Sequence, residues 1–162
     1  MKSRVLLLAA ILPFLARAAT AQSHECSHSA GVDQRGDHVM GFDHEKTSHH
    51  FRLTKTGGSI EAEAKDAADA ESLEQIRMHF AHIAKMFAEG DFEAPMLIHG
   101  TVPPGVPEMK KRRGAIRYGV EETPRGGRIV ITTKDSQALA AIHDFLRFQI
   151  RDHRTGDSGH IE

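Results

Sequence analysis

The chain has 162 residues, 40% hydrophobic and 27% charged, with 21 basic against 22 acidic side chains and a formal net charge of −1. So even a balance argues against nucleic-acid or polyphosphate binding as the main function. A single cysteine excludes an internal disulfide, and the lack of Trp beside a single Tyr argues against an aromatic-lined sugar or nucleic-acid binder.

The chain opens MKSRVLLLAAILPFLARAATAQ. Lys2 and Arg4 precede a short apolar run over residues 5–15, and Ala19-Thr20-Ala21 supplies small residues at a cleavage position. This is the pattern of a secretory signal peptide, residues 1–21, and the run is too short to span a bilayer. The expectation is an exported protein, periplasmic if the host is Gram-negative and otherwise secreted, with no membrane contact after cleavage. Residues 22–37 are rich in Ser, His, Gly and Asp, and read as a flexible leader. Within it, Cys26 between His24 and His28 is either an idle thiol or a soft metal ligand. All 12 histidines fall after the signal peptide, which makes histidine the compositional outlier.

The single domain is expected over residues 38–157, with a tail at 158–162. The segment HVMGFDHEKTSHHF places His38, Met40, His44, His49 and His50 close together. HFRLT and SIEAEAK alternate on either side of Lys55-Thr56-Gly57-Gly58, which predicts a β-hairpin with a glycine turn. Alternation sends one of His49 and His50 inward and the other outward.

Residues 73–87, LEQIRMHFAHIAKMF, place Leu73, Ile76, Phe80, Ile83, Ala84 and Phe87 on one helical stripe. Beside it run Gln75, His79, His82 and Met86. The predicted helix has Asp69 or Ser72 as its cap and Gly90 as its stop. Residues 91–109, rich in proline and carrying Met96, His99 and Met109, predict an ordered but non-helical connection. The basic run at 110–113 reads as a solvated turn. Two more strands, at 115–121 and 128–133, flank Pro124-Arg125-Gly126-Gly127. A second helix begins at Asp135 or Ser136, with Leu139, Ile142, Leu146, Gln149 and Ile150 on its stripe.

The halves resemble each other: strand, Gly-Gly, strand, Lys-Asp, helix, Gly-Asp. IRMHFAHIAKMFAEGD aligns without a gap on IHDFLRFQIRDHRTGD. The prediction is an α+β fold of two ββα units, an internal pseudo-repeat, forming a four-stranded antiparallel sheet with both helices on one face. His79 and His82 align with Phe145 and Phe148, so the histidine edge belongs to the first half alone.

Imidazole suits zinc, copper, iron and nickel, and thioether sulfur favours Cu(I). The predicted site is therefore a transition-metal site at His79, His82 and Met86, completed by His38, Met40, His44, His49, His50 or His99. Copper is the first choice and zinc the next. Haem iron ranks lower, and covalent haem attachment is excluded because Cys-x-x-Cys-His is missing. His143 and His153 read as hydrogen-bonded structural histidines. Storage, delivery or detoxification of the ion is the expected role. Two other functions compete: a metal-dependent hydrolase in which Asp43, Glu45 or Asp91 assists a bound water, and a binding module that uses the bare face of the sheet without metal.

Overall fold

The computed structural model describes residues 31–162. The expected signal peptide, residues 1–21, and the Cys26 segment lie outside the described residues. A helix over residues 31–40 (α1) leads into strands β1 (Thr47–Thr54) and β2 (Gly57–Ala64). Helices α2 (Ala70–Glu89), α3 (Glu93–His99) and α4 (Val106–Lys111) follow, then β3 (Ile116–Thr123), β4 (Gly126–Thr133) and α5 (Ser136–Asp152). The strands form one antiparallel sheet in the order β1-β2-β4-β3, and α2 and α5 pack on the same face of it, as the α+β expectation requires.

The long helices form where the apolar period meets a cap. Asp69 accepts a hydrogen bond from the Ser72 amide, and Gly90, at φ 83°, ends α2 in the left-handed conformation. Asp135 accepts from the Gln137 and Ala138 amides at the start of α5. The buried stripes, Ile76-Phe80-Ile83-Phe87 and Ile142-Leu146-Gln149-Ile150, face the sheet.

One constant shift in numbering carries β1 onto β3 and β2 onto β4, and a shift three residues shorter carries α2 onto α5. The strand register obeys the same relation. Ile60 of β2 lies opposite Ile129 of β4, its own counterpart, so a local two-fold axis passes between them. The helices cross over this axis: α2 lies chiefly on β3 and β4, α5 on β1 and β2. Each is tied to the other half's hairpin at equivalent positions. Arg77 donates to the Gly126 and Thr123 carbonyls at 3.2 and 2.9 Å. His143 Nε2 donates to the Gly57 and Thr54 carbonyls at 3.0 and 2.9 Å. His143 is thus the hydrogen-bonded structural histidine that the sequence predicts.

Three elements differ from expectation. The Gly-Gly pairs are not turns; the turns are Lys55-Thr56 and Pro124-Arg125, and the glycines begin β2 and β4. A Cβ on Gly57 would stand 1.9 Å from the Ile131 carbonyl oxygen, and one on Gly126 2.0 Å from that of Ala62. These glycines therefore let β2 and β4 approach at the seam between the halves. Residues 31–40, composed like a leader, are helical and bury Val32 fully. The proline-rich connection holds α3 and α4, because Pro95 and Pro107 fall in first turns, where a missing amide proton is tolerated.

The chain end lies along the β1 edge. Ile161 bridges Leu53 in parallel, the Glu162 amide donates to the Leu53 carbonyl, and Asp157 accepts from the Phe51 amide. An edge covered in this way offers fewer free groups to another strand. No helix among the described residues is long and apolar enough to cross a membrane.

Candidate functional site

Between the sheet and the helices lies a cavity of about 60 Å³. Most of its wall is apolar, including Phe51, Ile60, Phe80, Phe87, Ile129 and Phe145. Its polar side holds Met40, His49, His79, His99, Gln149 and His153. These side chains arrive from five elements, α1, β1, α2, α3 and α5. His49 shares the inward face of β1 with Phe51 and Leu53, by simple alternation. His79 lies on α2 between Ile76 and Ile83 of the stripe. Gln149 is on the buried stripe of α5, and His153 is the residue that ends it. His99 is the last residue of α3, and Met40 the last of α1.

The rings form a nearly continuous wall. Phe42 stacks on His49 with centroids 5.6 Å apart, and His49 stacks on His153 at 5.8 Å. His153 meets His99 edge to face at 5.0 Å, and Phe42 meets His79 edge to face at 5.5 Å. Burial, reinforced by the neighbouring imidazoles His79 and His50, lowers the His49 pKa to about 4. Burial and then His82 lower His79 to about 4. Burial, then His49 and His99, lower His153 to about 3. All three rings are therefore neutral at pH 7, and a neutral ring is the form that offers a lone pair to a metal.

His49 keeps part of its surface open, but its Nε2 is enclosed and has no hydrogen-bond partner. The Gln149 Nε2 is enclosed and unpartnered in the same way. Buried polar atoms of this kind cost free energy unless something meets them.

The local two-fold axis shows what the scaffold asks of these positions. The counterparts of His49, Gln149 and His153 are Tyr118, Ile83 and Phe87, and the counterpart of His79 is Phe145. Phe87 and Tyr118 contact each other at 5.8 Å, the same spacing as His153 and His49. The same structural positions are thus filled by core aromatics and an isoleucine at the other end. The imidazoles are not a requirement of the fold.

Of the residues predicted from the sequence, Met40, His49, His79 and His99 line the cavity. The others do not. His82 and His38 are exposed, because the α2 edge beyond His79 and the outer side of α1 face solvent. Met86 leans against the core as a packing residue. His50 points to the opposite face of β1, where Nδ1 meets Asp157 at 3.0 Å. His44 Nδ1 is 2.8 Å from Asp37, a hydrogen bond that raises the His44 pKa. Asp43, Glu45 and Asp91, proposed as helpers of a metal-bound water, are not part of the cavity wall. His153, a structural histidine by its sequence pattern, also lines the cavity. Its signal was present in the ungapped alignment of the halves, which sets it against Phe87 of the core.

Among the described residues, Asp37, Asp43 and His44 form the one set of three whose donor atoms all lie within 4.8 Å of one another. It lies at the partly exposed end of α1. No three of the cavity imidazoles bring their nitrogens within that distance of one another. No protein-family model matches the chain, and no curated protein or solved structure is similar to it.

Proposed function

We propose that the chain is an exported transition-metal-binding protein whose ion sits in the histidine cavity, held by His49, His79 and His153 with Met40. The observation that carries this reading is the enclosed, unpartnered Nε2 of His49 among imidazoles that burial keeps neutral. Copper is favoured because the Met40 thioether joins the nitrogen donors, and zinc comes next. A cavity of about 60 Å³ suits an ion with a few water-sized neighbours better than a haem macrocycle. The role that follows is storage, delivery or detoxification outside the cytoplasm, the export resting on the signal-peptide pattern alone.

The Asp37, Asp43 and His44 set is the competing locus, since its donors are already close together. Its two carboxylates suit a harder ion, and Asp37 already holds His44 toward its protonated form, so binding there has to displace a proton. Titrating Cu(I), Cu(II) and Zn(II) into the mature chain separates the two. The cavity reading predicts that His49→Phe weakens binding tenfold or more while His44→Ala leaves it unchanged. The opposite pattern moves the ion to the surface set, and no binding of any of the three ions by the unaltered chain ends the proposal.

A further inference from the structure

His99 differs from the other cavity imidazoles in what stands behind it. Its side chain is 1% exposed, and its Nδ1 lies 2.5 Å from Asp152 Oδ2. Its Nε2, on the cavity side, lies 2.9 Å from Gln149 Oε1. Among the described residues lining the cavity, it is the one imidazole with a carboxylate in hydrogen-bond contact. A carboxylate accepts and does not donate when ionised, so Nδ1 carries a proton that it donates to Asp152.

Gln149 fits this arrangement poorly as placed. Its oxygen faces the ring while its own Nε2 is enclosed without a partner. Half a turn of the amide, which exchanges two atoms alike in size, makes Gln149 the donor and His99 Nε2 the acceptor. The buried donor is then paired. The ring becomes the neutral tautomer with its proton on Nδ1 and its lone pair on Nε2. That is the state of a metal-binding histidine, whose far nitrogen commonly donates to a carboxylate that fixes the ring and raises its basicity.

His99 and His153 are also neighbours, their rings meeting edge to face with centres 5.0 Å apart. Gln149 occupies the position of the incoming ion relative to His99, and it is a neutral side chain that can swing aside.

We propose that His99, oriented by Asp152, is a further ligand of the ion in the histidine cavity, and that Gln149 holds the His99 Nε2 until the ion displaces it. Asp152 is then a positioning residue that acts through His99, and the ligand class is a borderline or soft divalent or monovalent cation. This rests on the cavity reading above, and the test keeps the two separable.

Zn(II) and Cu(I) affinities are measured by competition with a chelator for the mature chain and for the Asp152→Asn, Gln149→Leu and His99→Phe variants. X-ray absorption counts the imidazoles on the bound ion, and melting of the ion-free proteins checks folding. Asp152→Asn should weaken binding 10- to 100-fold, the range for the loss of such a partner. Gln149→Leu should bind at least as tightly as the unaltered chain. His99→Phe should lose one imidazole from the count. A folded His99→Phe variant that keeps both the affinity and the imidazole count overturns the role of His99 and leaves the site at His49, His79 and His153, and a folded Asp152→Asn variant with unchanged affinity overturns the role of Asp152. If His99→Phe fails to fold, His99→Gln, which offers no imidazole, is counted in its place. If the unaltered chain binds neither ion, both readings fall together.

Discussion

Protonation and folding are coupled at His49, His79 and His153. Each is held in the native chain below the ordinary value of 6.5, at about 4, 4 and 3. The unfolded chain therefore binds more protons than the native chain between about pH 3 and pH 6.5, and stability rises with pH across that window. Each unit of depression is worth about 1.4 kcal/mol, so the three rings together put several kcal/mol at risk by pH 4. This is comparable to the whole stability of a small domain. Melting temperature should accordingly fall steeply between pH 6.5 and pH 4, and His153→Phe should flatten the fall. A melting temperature that is level across that range contradicts the burial of these rings. Asp69, Asp135 and Asp157 work in the same direction at lower pH. Their folded values are depressed below 3.8, so their contribution is present above that value and is lost below it. His44 has the opposite sign, since its value is raised by Asp37, but it is too open to weigh much.

At the scale of the elements, the seam between β2 and β4 is the most demanding feature. Gly57 and Gly126 stand where a Cβ would strike a backbone oxygen of the facing strand, and backbone cannot move aside as a side chain can. Gly126→Ala should destabilise the chain by about 2 kcal/mol or more, measured by urea unfolding. Gly114→Ala, where a Cβ meets nothing within 4 Å, should change it by much less. His143→Ala should cost about 1–3 kcal/mol, because the Thr54 and Gly57 carbonyls lose their shared donor. The seam also shows why part of the fold was illegible in the sequence. A Gly-Gly pair after a strand reads as a turn because turns are local, whereas its use here depends on a strand far along the chain. The α2 and α5 stripes were legible because a helix buries one face at a fixed period, and the caps Asp69, Asp135 and Gly90 are local too. Helices α3 and α4 were hidden by prolines that their first turns tolerate. Helix α1 was hidden by a composition of Gly and Asp around only a few apolar anchors.

The whole molecule is a pair of like halves with unlike fillings. Near the two-fold axis the scaffold accepts Phe87, Ile83 and Tyr118 at one end and His153, Gln149 and His49 at the other. The histidine edge of α2 pointed at the site through His79, yet a helix face alone could not show that His82 turns to solvent while the end of α5 turns inward. The alignment of Phe87 with His153 held that information, and only the packing of α5 against β1 shows its meaning. If the polar end exists for a ligand, replacing it with the filling of the other end should leave the fold intact and remove the function. The central measurement is therefore thermal melting, with and without Zn(II) or Cu(I), of the unaltered chain and of the His49→Phe/Gln149→Ile/His153→Phe variant at pH 7. The expected result is a variant at least as stable as the unaltered ion-free chain, with no response to either ion. The unaltered chain should be stabilised by about 2.7 kcal/mol when the free ion is at a hundredfold its dissociation constant. A variant that the ion stabilises as strongly as the unaltered chain would contradict the account.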